Sequence, residues 1–460
     1  MGAAVPETSI AWILIPTASR IVILAAAIRV RNEYNESSVA MEEGARGIAM
    51  FSTMRKTFNE YPRVFWVLIV AAFIDRVGAT MIQPYFALYV TDKFNVGMTQ
   101  AGILLGIFSV SGLVGSMLGG ALTDKMGRKV MVVFGLVSSA LSSVSMGFVN
   151  ELSAFYTLAV VVGLFSHIAG PARQAMVADI LPEEQRAEGF GMMRVAGNMA
   201  WIIGPMIGGL IASQSYLMLF ILDAITSLIT AVIVFRVIPE TKPEGYAEQQ
   251  KKSFLQTFAG YKVVLKDKLY LGFLLASMIM TVVYLQMYNS LSVFLRDVHG
   301  VPPQGYGLLL SLDAGLVVLL QFWVTRRISN KPPLMMMALG TAFYLVGFSM
   351  YGFVASFALF LVAILLITIG EMIVMPVSQA LAARFAPEDM RGRYMAFFSF
   401  SWAIPATVGP LAAGLIMDNF QPQWVWYACG ILSALAISSF LLLHSRTQKR
   451  FEVAEAEQVT

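Results

Sequence analysis

The sequence predicts an all-α polytopic membrane protein, with twelve transmembrane helices in two six-helix halves related by a parallel repeat. Composition, loop charge and an internal repeat each point there. Of the 460 residues, 57% are hydrophobic and 13% charged, with a mean hydropathy of +0.71. Soluble domains carry about 25% charged residues, so an ordinary cytosolic enzyme and a disordered chain are both excluded. The 382 residues from Val64 to Ser445 give about 32 for each of twelve units, enough for a span of roughly 20 residues and a short loop.

Spans are expected at about 64–90, 100–123, 130–149, 153–180, 189–212, 216–238, 269–295, 304–325, 333–354, 356–382, 394–417 and 422–444. The loops are short except 239–268, which is rich in Lys, Glu and Gln from Glu244 to Lys252. It then turns amphipathic through Phe254, Leu255, Phe258, Tyr261, Val264 and Leu265. The expected organisation is an extension at 1–62, one half at 63–238, a cytoplasmic linker at 239–268, a second half at 269–445 and a cytoplasmic tail at 446–460. Within the extension, Ser9 to Ile28 is apolar but holds Pro16 and Arg20 and lacks the basic start of a signal peptide. Met50 and Met54 stand just before Arg55 and Lys56, which suits a native start. Residues 1–50 therefore read as a dispensable or misassigned extension; a thirteenth span or a surface helix is the alternative.

With Arg63 placed in the cytoplasm, alternate loops put 17 basic residues inside, Lys125, Arg128, Lys129, Arg186, Arg326, Arg327 and Arg391 among them. The outside loops hold only Lys93 and Arg296. The positive-inside rule then sets both ends of the twelve-span core in the cytoplasm of a cell membrane. It also accounts for the net charge of +4 and the pI of 9.0 without nucleic acid as a partner.

A gap-free shift of 205 residues lays 171–211 on 376–416. Pro171/Pro376, Gln174/Gln379, Pro182/Pro387, Arg186/Arg391, Gly204/Gly409, Pro205/Pro410 and Gly209/Gly414 coincide. Apolar residues match by chance, but Pro, Gly, Gln and Arg in register do not. Parallel six-span repeats build one large group of secondary transporters, with the site between the halves. One cysteine, Cys429, and three scattered histidines, His167, His299 and His444, exclude disulfides and a spaced zinc set. The dipeptide Gly-Lys is absent, so there is no phosphate loop. No cofactor, metal or enzymatic activity is expected.

The loop after the second span reads Gly120-Ala-Leu-Thr-Asp124-Lys125-Met-Gly127-Arg128-Lys129. Gly127 permits a tight turn, Asp124 can face a helix N-terminus, and Arg128 can reach a carboxylate at the end of a neighbouring span. This string resembles the signature loop of the major facilitator superfamily, which implies a gating role for Gly120, Asp124, Gly127 and Arg128. The family also places an acid where Asp179 closes the fourth span. The equivalent second-half loop, Arg326 to Lys331, keeps the charge and lacks the Asp, so gating is expected to be asymmetric. Gly204, Pro205, Gly208 and Gly209 in the fifth span resemble the antiporter motif of family drug exporters, although Ala200 replaces one glycine. Small residues permit close helix packing and Pro205 bends the span; ordinary packing is the other reading of this motif. In the first span, Gly78 to Pro84 fits another exporter pattern, but Ala87 stands where a second proline belongs. Ala159 occupies the place of an arginine that many proton-coupled members carry.

Charges inside spans are expensive in lipid and are candidate functional groups. Glu371, in TIGEMIVMP followed by PEDMRGRYM, resembles the tenth-span glutamate of proton-coupled multidrug transporters of the LmrP type. That group uses it for cation recognition or proton uptake. Asp75 and Asp313 are further proton-coupling candidates. Adjacent residues do not face each other on a helix, so Asp75 and Arg76 each need another partner. Gln83, Tyr85, His167, Gln286, Tyr288, Asn289 and Trp402 are candidates for the cavity wall, with core packing as the alternative for the aromatic residues and for His167. Gln286 and Asn289, three apart, are expected to share a face. The resemblance implies proton-driven export of small amphipathic compounds or drugs by alternating access. Its partners would be a small-molecule substrate, protons and the lipid bilayer, with a monomer as the working unit. The alternatives are uptake or symport of a small metabolite such as a sugar or peptide, and a non-transporting membrane sensor or lipid-handling scaffold.

Overall fold

A computed structural model describes residues 60–241, 263–387 and 390–459; the side chains of 121, 124, 187 and 448–459 lie outside the described set. The expected extension 1–50 and the amphipathic stretch 254–261 also lie outside it. Among the described residues, twelve helices are long and apolar enough to cross a membrane, and no strand occurs.

The first half comprises Arg63–Ile82 continued by Phe86–Lys93, Met98–Met126, Arg128–Phe148, Leu152–Ile168 continued by Gly170–Ile180, Glu183–Ala212 and Tyr216–Val237. The second comprises Lys268–Asn289 continued by Leu291–His299, Pro303–Ile328, Pro333–Met350, Phe357–Phe385, Arg391–Asn419 and Trp424–Val459. The interruptions have local causes. Pro84 sits in the 3-10 turn Gln83–Tyr85 that breaks the first span, because proline lacks the amide hydrogen a continuing helix needs. Gly170-Pro171 restarts the fourth span. The seventh span pauses at Ser290, and its second segment closes on Gly300 at φ +64°, a conformation that favours glycine.

Two boundaries differ from expectation. The fifth span begins at Glu183 rather than near 189, with Glu183 and Glu184 in its first turn, where the helix dipole favours acids. The last helix runs on to Val459, through the expected tail, because 446–459 contains Arg, Gln, Lys, Glu and Ala but no Gly or Pro. Buried aromatic side chains such as Tyr344, Phe348, Tyr351 and Trp426 fill the second half, whereas Leu319 and Phe322 are 76% and 73% exposed. Large apolar side chains pointing outward from long helices are what a lipid-facing surface requires.

The two halves meet closely at the end opposite the Arg128 loop. A Cβ on Gly102 would stand 2.6 Å from the Pro410 carbonyl oxygen, and one on Gly414 would stand 2.6 Å from that of Met98. Across the other seam, a Cβ on Gly307 would meet the Pro205 carbonyl oxygen at 2.6 Å, and one on Gly209 that of Pro303 at 2.8 Å. Near the basic end, Gly120 and Gly392 have open space where a Cβ would go. Polar contacts reinforce the closed end. Both carboxylate oxygens of Asp418 accept the first amides of the second span, from Met98 at 2.9 Å and Thr99 at 2.8 Å. Arg296 reaches Thr91 Oγ1 at 3.1 Å and the Leu88 carbonyl at 3.4 Å, and Ser311 donates to the Ile202 carbonyl at 3.0 Å.

Candidate substrate cavity and gate

A central cavity of about 450 Å³ lies between the halves. Arg76 and Gln83 enter it from the first span, Asn198 and Trp201 from the fifth, Tyr288 and Asn289 from the seventh, Asp313 from the eighth, Glu371 from the tenth and Trp402 from the eleventh. Glu371 stands at the midpoint of Phe357–Phe385. Its Oε2 is buried without a hydrogen-bond partner, and the Tyr284 hydroxyl and the Asp313 carboxylate are its polar neighbours. Asp313 is buried, and its Oδ1 accepts from Thr368 Oγ1 at 2.6 Å. Trp201 meets Tyr288 edge-on at 5.1 Å between ring centres, and Trp402 meets Tyr284 at 5.9 Å, so flat apolar surfaces separate the two ends of the cavity.

A second cavity, of about 370 Å³, lies inside the first half and shares Arg76 and Gln83 with the central one. Asp75 and His167 face this second cavity. Asp75 pairs with Arg173 at 2.7 Å and accepts from Ser227 at 3.0 Å, so its partner comes from the fourth span and not from adjacent Arg76. Asp223, buried in the sixth span, accepts from Ser143. Arg173 and Asp223 were absent from the sequence-based set, although a charge in the middle of an apolar run is the signal that would have found them.

Two wall candidates fall elsewhere. Tyr85 is fully buried and donates to the Pro205 carbonyl at 2.5 Å, because the 3-10 turn that it closes directs its ring into the seam with Tyr306, 5.6 Å away. Gln286 is buried; its amide nitrogen donates to Val282 at 2.9 Å and to Gly409 at 3.4 Å, and its oxygen accepts from Ser290 at 2.6 Å. It therefore ties the seventh span to the eleventh and does not share the cavity wall with Asn289.

At the basic end, Gly127 adopts φ +102° and a Cβ there would meet the Glu240 carboxylate, so both backbone and space call for glycine. Arg128 is 2% exposed and its Nε lies 3.1 Å from Asp179 Oδ2. The orphan amides that open the third span are accepted by Glu240, from Arg128 at 2.8 Å and Lys129 at 3.2 Å. The Asp124 side chain lies outside the described set. Glu240 was not expected; it follows the sixth span and carries no motif of its own. In the fifth span, a Cβ on Gly204 would collide with Thr80 of the first span, whose hydroxyl donates to the Ala200 carbonyl at 3.0 Å. Gly208 and Gly209 would each crowd Tyr85 with a Cβ at 2.8 Å.

Twelve spans in two matching halves around a central charged cavity define a multi-pass membrane transport protein, not an enzyme. The chain belongs to the Major Facilitator Superfamily, whose family model matches residues 68–410 and 327–459. It is 25% identical over 415 residues to a Na(+), Li(+), K(+)/H(+) antiporter of Planococcus maritimus, covering 83% of this chain and 95% of that one. It is 23% identical over 399 residues to multidrug resistance protein MdtH of Salmonella paratyphi B, covering 84% and 96%. The fold is similar to that of nucleoside transporter NupG, with a TM-score of 0.72 at 14% identity, over 83% of this chain and 100% of the other.

Proposed function

We propose that this protein is a proton-driven exporter of small amphipathic compounds, with the basic end in the cytoplasm, working by alternating access around the central cavity. The observation that carries this reading is Glu371, a mid-span carboxyl that faces the cavity with one oxygen unpartnered. A carboxyl there is neutral when protonated and charged when not. The two forms differ in desolvation and so bias which face of the bundle is open. Similarity to a cation/proton antiporter and to a multidrug resistance protein supports exchange and drug-like cargo. The close seams at the far end and the open glycines at the basic end fit a cavity that faces the cytoplasm.

The decisive experiment is substrate-dependent proton movement in reconstituted vesicles, with a small panel of cationic, neutral and zwitterionic amphiphiles. A complete absence of coupled proton flux rejects the exporter reading. Two further outcomes are expected. A periplasm-active reporter fused after Lys252 stays silent, since that loop is assigned to the cytoplasm; strong activity overturns the orientation. Arg128→Ala lowers transport about ten-fold, which corresponds to about 1.4 kcal/mol of gate stability, while membrane insertion and folded yield stay near those of the wild type. Initial uptake rates in vesicles check this, and wild-type rates would remove the Arg128–Asp179 pair from the gate.

A further inference from the structure

We infer that the central cavity takes compounds carrying an anionic group at one end and a cationic group at the other, with a flat apolar body between; this refines the export reading and rests on it. The inference comes from the way charges are divided between the two walls. Arg76 is exposed into the cavity, and among the described residues no carboxylate lies within ion-pair distance of it. Its neighbour Asp75 has both oxygens engaged, by Arg173 and Ser227. The Arg76 guanidinium lies 5.9 Å from the Trp201 ring centre, a geometry that presents the cation beside an aromatic face.

On the opposing half the signs are reversed. Asp313 and Glu371 are the acids among the described wall residues, and no basic side chain joins them from the second half. An unpaired cation in mid-membrane is tolerated while water fills the cavity. When alternating access closes the site, water leaves and Arg76 needs a counter-charge. A purely cationic cargo supplies none and is repelled by Arg76; a cargo with an anionic group supplies it, while its cationic group meets Glu371. Specificity then arises as much from rejection as from attraction, since a compound lacking either charge leaves one wall group uncompensated.

A matched pair of probes tests this: a rhodamine with a free carboxylate, which is zwitterionic, and its methyl ester, which is a cation on the same ring system. Binding to the purified full-length protein in detergent is read by fluorescence anisotropy. The wild type is expected to bind the acid about ten-fold more tightly than the ester. Arg76→Gln brings the ratio of the two affinities close to one, and Arg76→Lys restores part of it. Equal binding of acid and ester by the wild type, equal loss of both in Arg76→Gln, or no binding of either dye overturns the inference. Transport of the same dyes in vesicles under a pH gradient separates it from the broader reading. If the binding preference is present but the gradient drives neither dye, proton-driven export falls and the inference stands. If the gradient drives the ester and not the acid, the inference falls and export stands.

Discussion

Glu371→Gln is expected to abolish concentrative, proton-coupled transport while leaving the bundle folded. Glutamine keeps the size of the side chain and its hydrogen-bonding capacity but fixes it in an uncharged form. The site in which it sits, with Tyr284 and Asp313 as polar neighbours and aromatic rings on either side, tolerates a neutral group, because burying an ion is what costs free energy there. Vesicles carrying the variant should fail to concentrate, under an imposed pH gradient, a charged probe that wild-type vesicles concentrate. Downhill equilibration of neutral probes is expected to persist. The loss should approach the rate of protein-free vesicles, since a carboxyl that cannot change charge cannot transmit the gradient. Concentration at the wild-type level would make Glu371 structural and transfer the coupling role to Asp313 or Asp75.

Asp418→Ala is expected to open the far end. Asp418 accepts two amides at the start of the second span, and an exposed side-chain cap of this kind contributes about 0.5–2 kcal/mol. Loss of about 1.4 kcal/mol from the closed state alone shifts the balance toward the far-open state about ten-fold. The measurement is labelling of a reporter cysteine at Ser109 by a membrane-impermeant maleimide applied from the far side, in a Cys429→Ser background. A rise of about ten-fold in labelling rate is expected. An unchanged rate would assign closure to the glycine seams alone.

The spans were legible because an apolar run of sufficient length has only one stable use in a membrane, and the halves because Pro205/Pro410 and Gly209/Gly414 recur in register. Those repeated residues sit in the two seams, where backbones approach too closely for larger side chains. The wall was only partly legible. Of the wall candidates, Tyr288, Asn289 and Trp402 line the central cavity, but the proline-containing turn at Gln83–Tyr85 changes the phase of the first span, and periodicity alone does not register such a change. Gln286 was misplaced for a different reason: a residue three positions from a wall residue is offset around the helix, and its amide found backbone acceptors on the neighbouring span. Asp418 and Glu240 carry no motif, because capping a helix in another part of the chain needs only a carboxylate that happens to arrive there.

The 205-residue repeat gives Asp418 a counterpart in Ser213, whose hydroxyl turns back to its own helix, on the Leu210 carbonyl at 2.8 Å. The seam between the second and eleventh spans is therefore fastened by a charge, whereas the seam between the fifth and eighth spans is held by backbone contact around Gly209 and Gly307 and by the Ser311 hydroxyl. On the export reading, such a lopsided closure is expected to set an order of events: the fifth and eighth spans would part before the second and eleventh, which would serve as the pivot, so that the opening widens on one flank of the molecule.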